Sequence, residues 1–348
     1  MNQTLDRIRG CLIGGAAGDA LGYPVEFRSA SQICYRYGQT GITDYECDRR
    51  RGEALVSDDT QMTLFTAAGV LEAQSIPLTR IPVAAAYQNW LTTQEGPYRS
   101  DAVPGTLGLM ARPELFACRA PGVTCLSALR AQCSTHTWPE DYIAVPQNNS
   151  KGCGGVMRVA PLALRHWLSD DQVALDWEGA QLAAITHGHS LGYMPAAVLT
   201  HILSRSLQDS GSTLRELVEE ARDAAKQLFA GDRHLAELCA CIDRAMELAA
   251  GEGSDPENIR RLGEGWVAEE TLAISLYCAL RHQDDFSAGI IAAVNHDGDS
   301  DSTGAVTGNL LGAWLGYEAI EPRWTQQLEL RDTLLLAADE LYAAGAQA

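Results

Sequence analysis

Apolar residues recur at spacings of three and four along 176–207, 213–249, 267–283, 286–294 and 325–344, where alanine and leucine dominate, and this period predicts helices. Alternation of the kind a half-buried strand needs is scarce. Glycine, proline and serine gather at 95–106, 119–124, 146–155 and 251–265. These segments read as loops, too short and too mixed to link independent domains. The pattern predicts one all-α domain spanning 1–348.

Two further segments carry a different period. Glycines fall at 10, 14, 18 and 22 in RGCLIGGAAGDALG and at 304, 308, 312 and 316 in STGAVTGNLLGAWLG. A spacing of four keeps each set on one helical face. A glycine in a helix interior costs about 1 kcal/mol relative to alanine, so four in register require an offsetting gain. Close approach of two backbones supplies one. The two helices, from opposite ends of the chain, are expected to pack together in the middle of the fold.

Composition narrows the classes of function. A chain of 348 residues, 46% of them hydrophobic, is long enough to bury a sizeable core. With 26 Lys and Arg against 45 Asp and Glu the net charge is -19 at pH 7. That balance disfavours a nucleic-acid surface or an anionic membrane partner. No apolar stretch reaches membrane-spanning length, and the run after MNQTLDRIRG is interrupted by Gly14, Gly15, Gly18 and Asp19, so no signal peptide is indicated and a cytoplasmic location is expected. The ten cysteines are scattered without a CxxC pair, which points away from a zinc ribbon or a disulfide framework.

The candidate chemistry is acidic. VSDDTQMTLF at 56–65 sets Ser57, Asp58, Asp59 and Thr60 at the start of a helix, and HDGDSDSTGAV at 296–306 does the same with Asp297, Asp299, Asp301 and Ser302. Either cluster alone is accounted for by capping, because carboxylates and hydroxyls at a helix amino terminus satisfy free N–H groups and suit the macrodipole. Packing of the two glycine helices changes that reading, since it carries Asp19 and Glu26 toward the second cluster. So many carboxylates in one place repel unless cations lie between them. Hard oxygen donors, without an accompanying Cys or a necessary His, suit Mg or Mn rather than Zn, and two divalent ions are the economical solution.

GGAAGDALGYPVEF at 14–27, SDDTQMTL at 57–64, SKGCGGVMRVAPLAL at 150–164, THGHSLGY at 186–193 and HDGDSDSTGAVTGNLLGAWLG at 296–316 resemble, in order and spacing, the ADP-ribosylglycohydrolase family. This includes the dinitrogenase reductase-activating glycohydrolases and the ADP-ribosylarginine hydrolases. The resemblance implies an all-α, orthogonal helical domain with a binuclear Mg or Mn site in a central cleft. It implies metal ligation by Ser57, Asp58 and Asp59 on one side and by Asp299, Asp301 and Ser302 on the other, with serines where the family often has threonine. Catalytic roles fall to Glu26, Asp58, Asp59 and Asp299, while Asp19 is expected to hold the loop rather than touch metal. Substrate contacts are implied for Asn149, Ser150, Lys151, Gly152, Cys153 and Gly154, whose glycines permit close backbone approach to a diphosphate. Cys153 stands where many members have asparagine. His187 is implied beside the diphosphate and Trp266 in the adenosine pocket.

The activity implied is metal-dependent hydrolysis of ADP-ribose from a modified protein, foremost from arginine, in regulation or as protection against an ADP-ribosylating toxin. Two alternatives are a hydrolase of O-linked ADP-ribose, on serine or an acetyl ester, and a catalytically silent ADP-ribose-binding protein. Oxygen donors at all six ligand positions argue against the silent reading.

Overall fold

The computed structural model describes residues 2–73, 79–134, 146, 148–208 and 211–347. Among them lie the helices α1 (Gln3–Gly22), α2 (Ala30–Tyr37), α3 (Asp58–Glu72), α4 (Arg80–Glu95), α5 (Val123–Ser134), α6 (Ala160–Arg165), α7 (Gln172–Ala184), α8 (Ser190–Leu207), α9 (Leu214–Leu228), α10 (Leu235–Ala250), α11 (Asp255–Arg260), α12 (Ala268–Arg281), α13 (Phe286–Val294), α14 (Ser300–Leu315), α15 (Pro322–Thr325) and α16 (Arg331–Gly345). The described residues form no strand. Two isolated bridges, Ala54 with Leu328 and Gly152 with Val267, are their only β-type pairings.

The architecture is all-α, as the periodicity predicts, and α1 packs against α14 at its centre. The pair is antiparallel: Gly10 faces Gly312, Gly14 faces Gly308, Gly18 faces Gly304, and Gly22 faces Ser300. A methyl group at any of these glycines would collide with the carbonyl oxygen opposite, so only glycine allows this separation. The lost helix propensity is offset by backbone-to-backbone packing over nearly the whole length of both helices. Because the pair is antiparallel, the carboxyl end of α1 meets the amino end of α14.

The predicted helix at 286–294 coincides with α13, and that at 267–283 is matched by α12 within two residues at each end. Three longer predictions are corrected. The pattern at 176–207 splits into α7 and α8 at Ile185–His189, and that at 213–249 splits into α9 and α10 around Gly231, whose φ is +94°. The one at 325–344 begins only at Arg331, after Leu330 in the left-handed region (φ 59°). Ile185, Thr186 and His187 remain buried through the first break, so apolar spacing continues where the helix does not. That break allows the segment around Asn148 to lie against Gly188, where a side chain would meet the Asn148 carbonyl. Among the described residues no helix is long and apolar enough to cross a membrane.

Candidate active site

The carboxyl end of α1 begins the site. Asp19, fully buried, accepts hydrogen bonds from the Ser57 amide (3.0 Å), the Thr60 amide (3.1 Å) and the Thr60 hydroxyl. One side chain of α1 therefore satisfies the free amino end of α3 and sets its position. After the 3-10 turn Tyr23–Val25 the chain presents Glu26.

Around Glu26 gather Asp58 and Asp59 from the first turn of α3, and Asp299 and Asp301 from the start of α14. All five line one cleft, with a cavity volume of about 330 Å³. Oxygens of Glu26, Asp299 and Asp301 lie within 4.8 Å of one another. Ser302 also lines the cleft, whereas Ser57 does not. Ser57 is the N-cap of α3; its hydroxyl accepts from the Asp59 amide (3.2 Å) and donates to Asp59 Oδ2 (3.3 Å).

A buried ion pair fixes the walls. Arg119 donates to Glu329 through both Nη atoms and to the Val56 carbonyl at 2.9 Å, while Glu329 accepts from the Val56 amide at 3.2 Å. The Asp58 amide donates to the Arg119 carbonyl (3.1 Å), and the Gly122 amide donates to Asp58 Oδ2 (3.3 Å). The segment before α3 and the loop at 119–122 are thereby held as a unit.

The electrostatics are severe. Burial, then repulsion from Asp301, Asp299, Asp58 and Asp19, pushes the Glu26 carboxyl up to about 10. Burial and Asp301 push Asp19 up to about 7. Asp58, Asp59 and Asp301 are raised well above the usual carboxylate range, first by burial and then by their neighbours, and Asp299 is raised by burial. Protein groups alone do not compensate this much negative charge. Glu26 Oε2 and Asp59 Oδ1 are buried without a hydrogen-bond partner, and the donors are almost all oxygen, so the cluster fits divalent cations.

The glycine loop forms the opposite wall. Gly152, Cys153 and Gly154 line the cleft; Asn149, Ser150 and Lys151 are not among its lining residues. Asn149 is exposed. The Ser150 hydroxyl pairs with that of Thr124 (3.0 Å), and the Lys151 ammonium is turned to Glu269 and, at 3.6 Å, Glu237. His187 is buried at the cleft edge, and burial with the nearby Arg158 guanidinium pushes its pKa down to about 3, so the ring is neutral. Arg158 donates to Thr186 Oγ1 (2.7 Å), the Thr186 hydroxyl pairs with His187 Nδ1 (2.9 Å), and the other ring nitrogen, Nε2, lies near Gly152. Trp266, 39% exposed, stacks on Phe27, 73% exposed, with ring centroids 5.7 Å apart and an interplanar angle of 20°.

Four elements of this cleft escape sequence reasoning. Phe27 directly follows Glu26, yet nothing in VEF marks it. The loop Ala120–Thr124, Cys125 and Met157 line the cleft as well. The loop's Pro and Gly signal a turn and say nothing about where that turn lies.

A family model described as ADP-ribosylglycohydrolase matches residues 1–348. The chain is 25% identical over 358 residues to the ADP-ribosylhydrolase ARH3 of Bos taurus, covering 94% of this chain and 90% of that protein. It is 26% identical over 326 residues to the ADP-ribosyl-(dinitrogen reductase) glycohydrolase of Rhodospirillum rubrum, covering 94% and 91%. Against the ADP-ribosylarginine hydrolase Tri1 of Pseudomonas putida (strain GB-1) the identity is 25% over 346 residues, covering 98% and 79%. A solved structure described as an ADP-ribosylglycohydrolase-related protein complex superposes with a TM-score of 0.67 at 25% identity, covering 99% of this chain and all of that one.

Proposed function

The chain belongs to the ADP-ribosylglycohydrolase family, and from that premise we propose that it is a single-domain, metal-dependent hydrolase that removes ADP-ribose from modified protein, with arginine as the linked residue. The observation that carries this reading is the convergence of Glu26, Asp58, Asp59, Asp299 and Asp301 in one cleft faced by a glycine loop. In the proposal Ser57, Asp58 and Asp59 hold one divalent cation and Asp299, Asp301 and Ser302 a second, Mg or Mn. Bound there, such ions supply Lewis acidity and neutralise charge beside the ribose.

The protein's own groups do the rest. Glu26, whose Oε2 has no partner and whose carboxyl is returned to the ionised form by neighbouring cations, takes the proton of the attacking water. The water oxygen bonds to ribose C1 as the C1–N bond breaks with its electron pair going to the guanidine nitrogen, and the proton taken by Glu26 passes to the departing guanidine. Amides of Gly152–Gly154 and the neutral His187 ring hold the diphosphate, and Trp266 supports the adenosine. Asn149, Ser150 and Lys151 shape the loop, with the Lys151–Glu269 ion pair tying it to α12.

Two observations favour arginine. One relative is named an ADP-ribosylarginine hydrolase, and a carboxylate-lined cleft complements a guanidinium. Side-by-side release of ADP-ribose from arginine-modified and serine-modified protein tests the linkage. Release confined to arginine supports it; release confined to serine replaces it with the O-linked alternative.

A further inference from the structure

The oxygen-rich cleft contains a soft donor at a definite place. Cys153 opens the 3-10 turn Cys153–Gly155, and its Sγ donates to Asp299 Oδ2 at 2.8 Å and accepts from the Ser302 hydroxyl at 3.6 Å. The thiol thus touches two of the three groups assigned above to the second cation. Met157 Sδ lies 3.8 Å from the same Ser302 hydroxyl, so a second sulfur flanks that end of the cleft. Independently, Glu26, which is 7% exposed and has an oxygen within 4.8 Å of oxygens of Asp299 and Asp301, leaves Oε2 with no hydrogen-bond partner. A proton bridging a thiol and a carboxylate occupies the kind of position a bound cation takes between two anionic donors.

We propose that Cys153 is a sulfur ligand to the cation held by Asp299, Asp301 and Ser302, and that it selects Mn and more thiophilic divalent ions over Mg at that position. Thiolate ligands favour later first-row ions, whereas carboxylates and hydroxyls alone accommodate Mg. On binding, the thiol proton leaves to solvent and sulfur takes its place in the ligand set. The inference rests on the metal-site reading above and deepens it, since it concerns which ion the site prefers.

Co(II) is the probe that reports sulfur directly. The full-length protein, stripped with chelator, is titrated with Mg, Mn and Co by calorimetry, and the Co(II) complex is examined by absorption. The wild type is expected to show a thiolate-to-cobalt charge-transfer band that survives Cys125→Ala and is lost in Cys153→Ser. The ratio of Co to Mg affinity is expected to fall about tenfold or more in Cys153→Ser. Co(II) bound to the wild type without the band overturns the proposal whether or not any variant folds. So does a band and ratio unchanged in Cys153→Ser. Binding of Mg or Mn together with a Co(II) complex that lacks the band removes the ligand assignment alone; binding of no divalent ion removes the metal-site reading and this inference together.

Discussion

Asp19 is not among the residues lining the cleft, yet three groups at the start of α3 depend on its carboxylate. Its place in GGAAGDALG suggested a residue that fixes a loop, and its bonds to the Ser57 and Thr60 amides fix the end of a helix instead. An amide in its place keeps an acceptor but loses the charge that balances those donors. Asp19→Asn is therefore expected to weaken divalent-ion affinity by about 10- to 100-fold while leaving the helical circular dichroism intact, because such supporting contacts orient ligands they do not replace. Calorimetric titration of the variant checks this, and an unchanged affinity would assign Asp19 to folding alone. At the same scale Ser57, Asp58, Asp59, Asp299, Asp301 and Ser302 stand out in the sequence because small oxygen-bearing residues cluster at two helix starts. Cys153 does not: a thiol within a glycine run gives no sign that it will lie on Asp299.

At the scale of elements, glycine spacing is the most informative signal in the chain. Four residues apart on both α1 and α14, it announces a shared face, and the Gly14–Gly308 and Gly18–Gly304 contacts realise it. Gly308→Ala tests this. Alanine improves intrinsic helix propensity by about 1 kcal/mol, but its methyl would strike the Gly14 carbonyl. Overpacking of this kind costs roughly 1–3 kcal/mol, occasionally more, so denaturant melts are expected to show a net loss of up to roughly 2 kcal/mol. A stabilised variant would mean that the helices separate freely.

Helix ends are less legible. Thr79 gives α4 no side-chain cap; Glu178 of α7 does so, accepting from the Arg80 amide at 2.8 Å. Burial raises the Glu178 carboxyl to about 7, against the lowering effect of Arg80. A carboxyl raised in the folded state favours the fold when protonated. That advantage is fully present below about 4.5 and lost as pH rises through about 7. Glu178→Gln, which keeps the acceptor, is expected to be more stable than the wild type by roughly 3 kcal/mol at pH 8 and indistinguishable from it at pH 4. Equal melting temperatures at both values would show that Glu178 does not titrate in this range. Apolar periodicity conveys none of this. It also ran through Ile185–His187, because buried turns place apolar residues inward as helices do.

For the whole molecule, the two ends of the chain are built into one centre. The pairing of α1 with α14 brings Asp19 and Glu26 to Asp299 and Asp301, and Asp19 brings Asp58 and Asp59 to the same place. The approach of Asp19 and Glu26 to Asp299 and Asp301 was readable because it follows from helix direction and glycine register; the arrival of Asp58 and Asp59 was implied only by the family resemblance. The walls were not readable, since the loop at 119–122 reaches the cleft through Arg119 and Glu329, which lie 210 positions apart. The chain as a whole carries a net charge of -19, and the cleft's carboxylates need cations to remain ionised together.

The central claim is that these carboxylates, loaded with divalent ions, hydrolyse an ADP-ribosyl bond. Its most direct test is release of free ADP-ribose from arginine-modified protein by the chelator-stripped chain, by the same chain with Mn restored, and by Asp59→Ala with Mn. The account predicts release only in the second case, with a loss of at least about 100-fold in the other two. Equal release in all three, or none in any while ADP-ribose still binds, would contradict it.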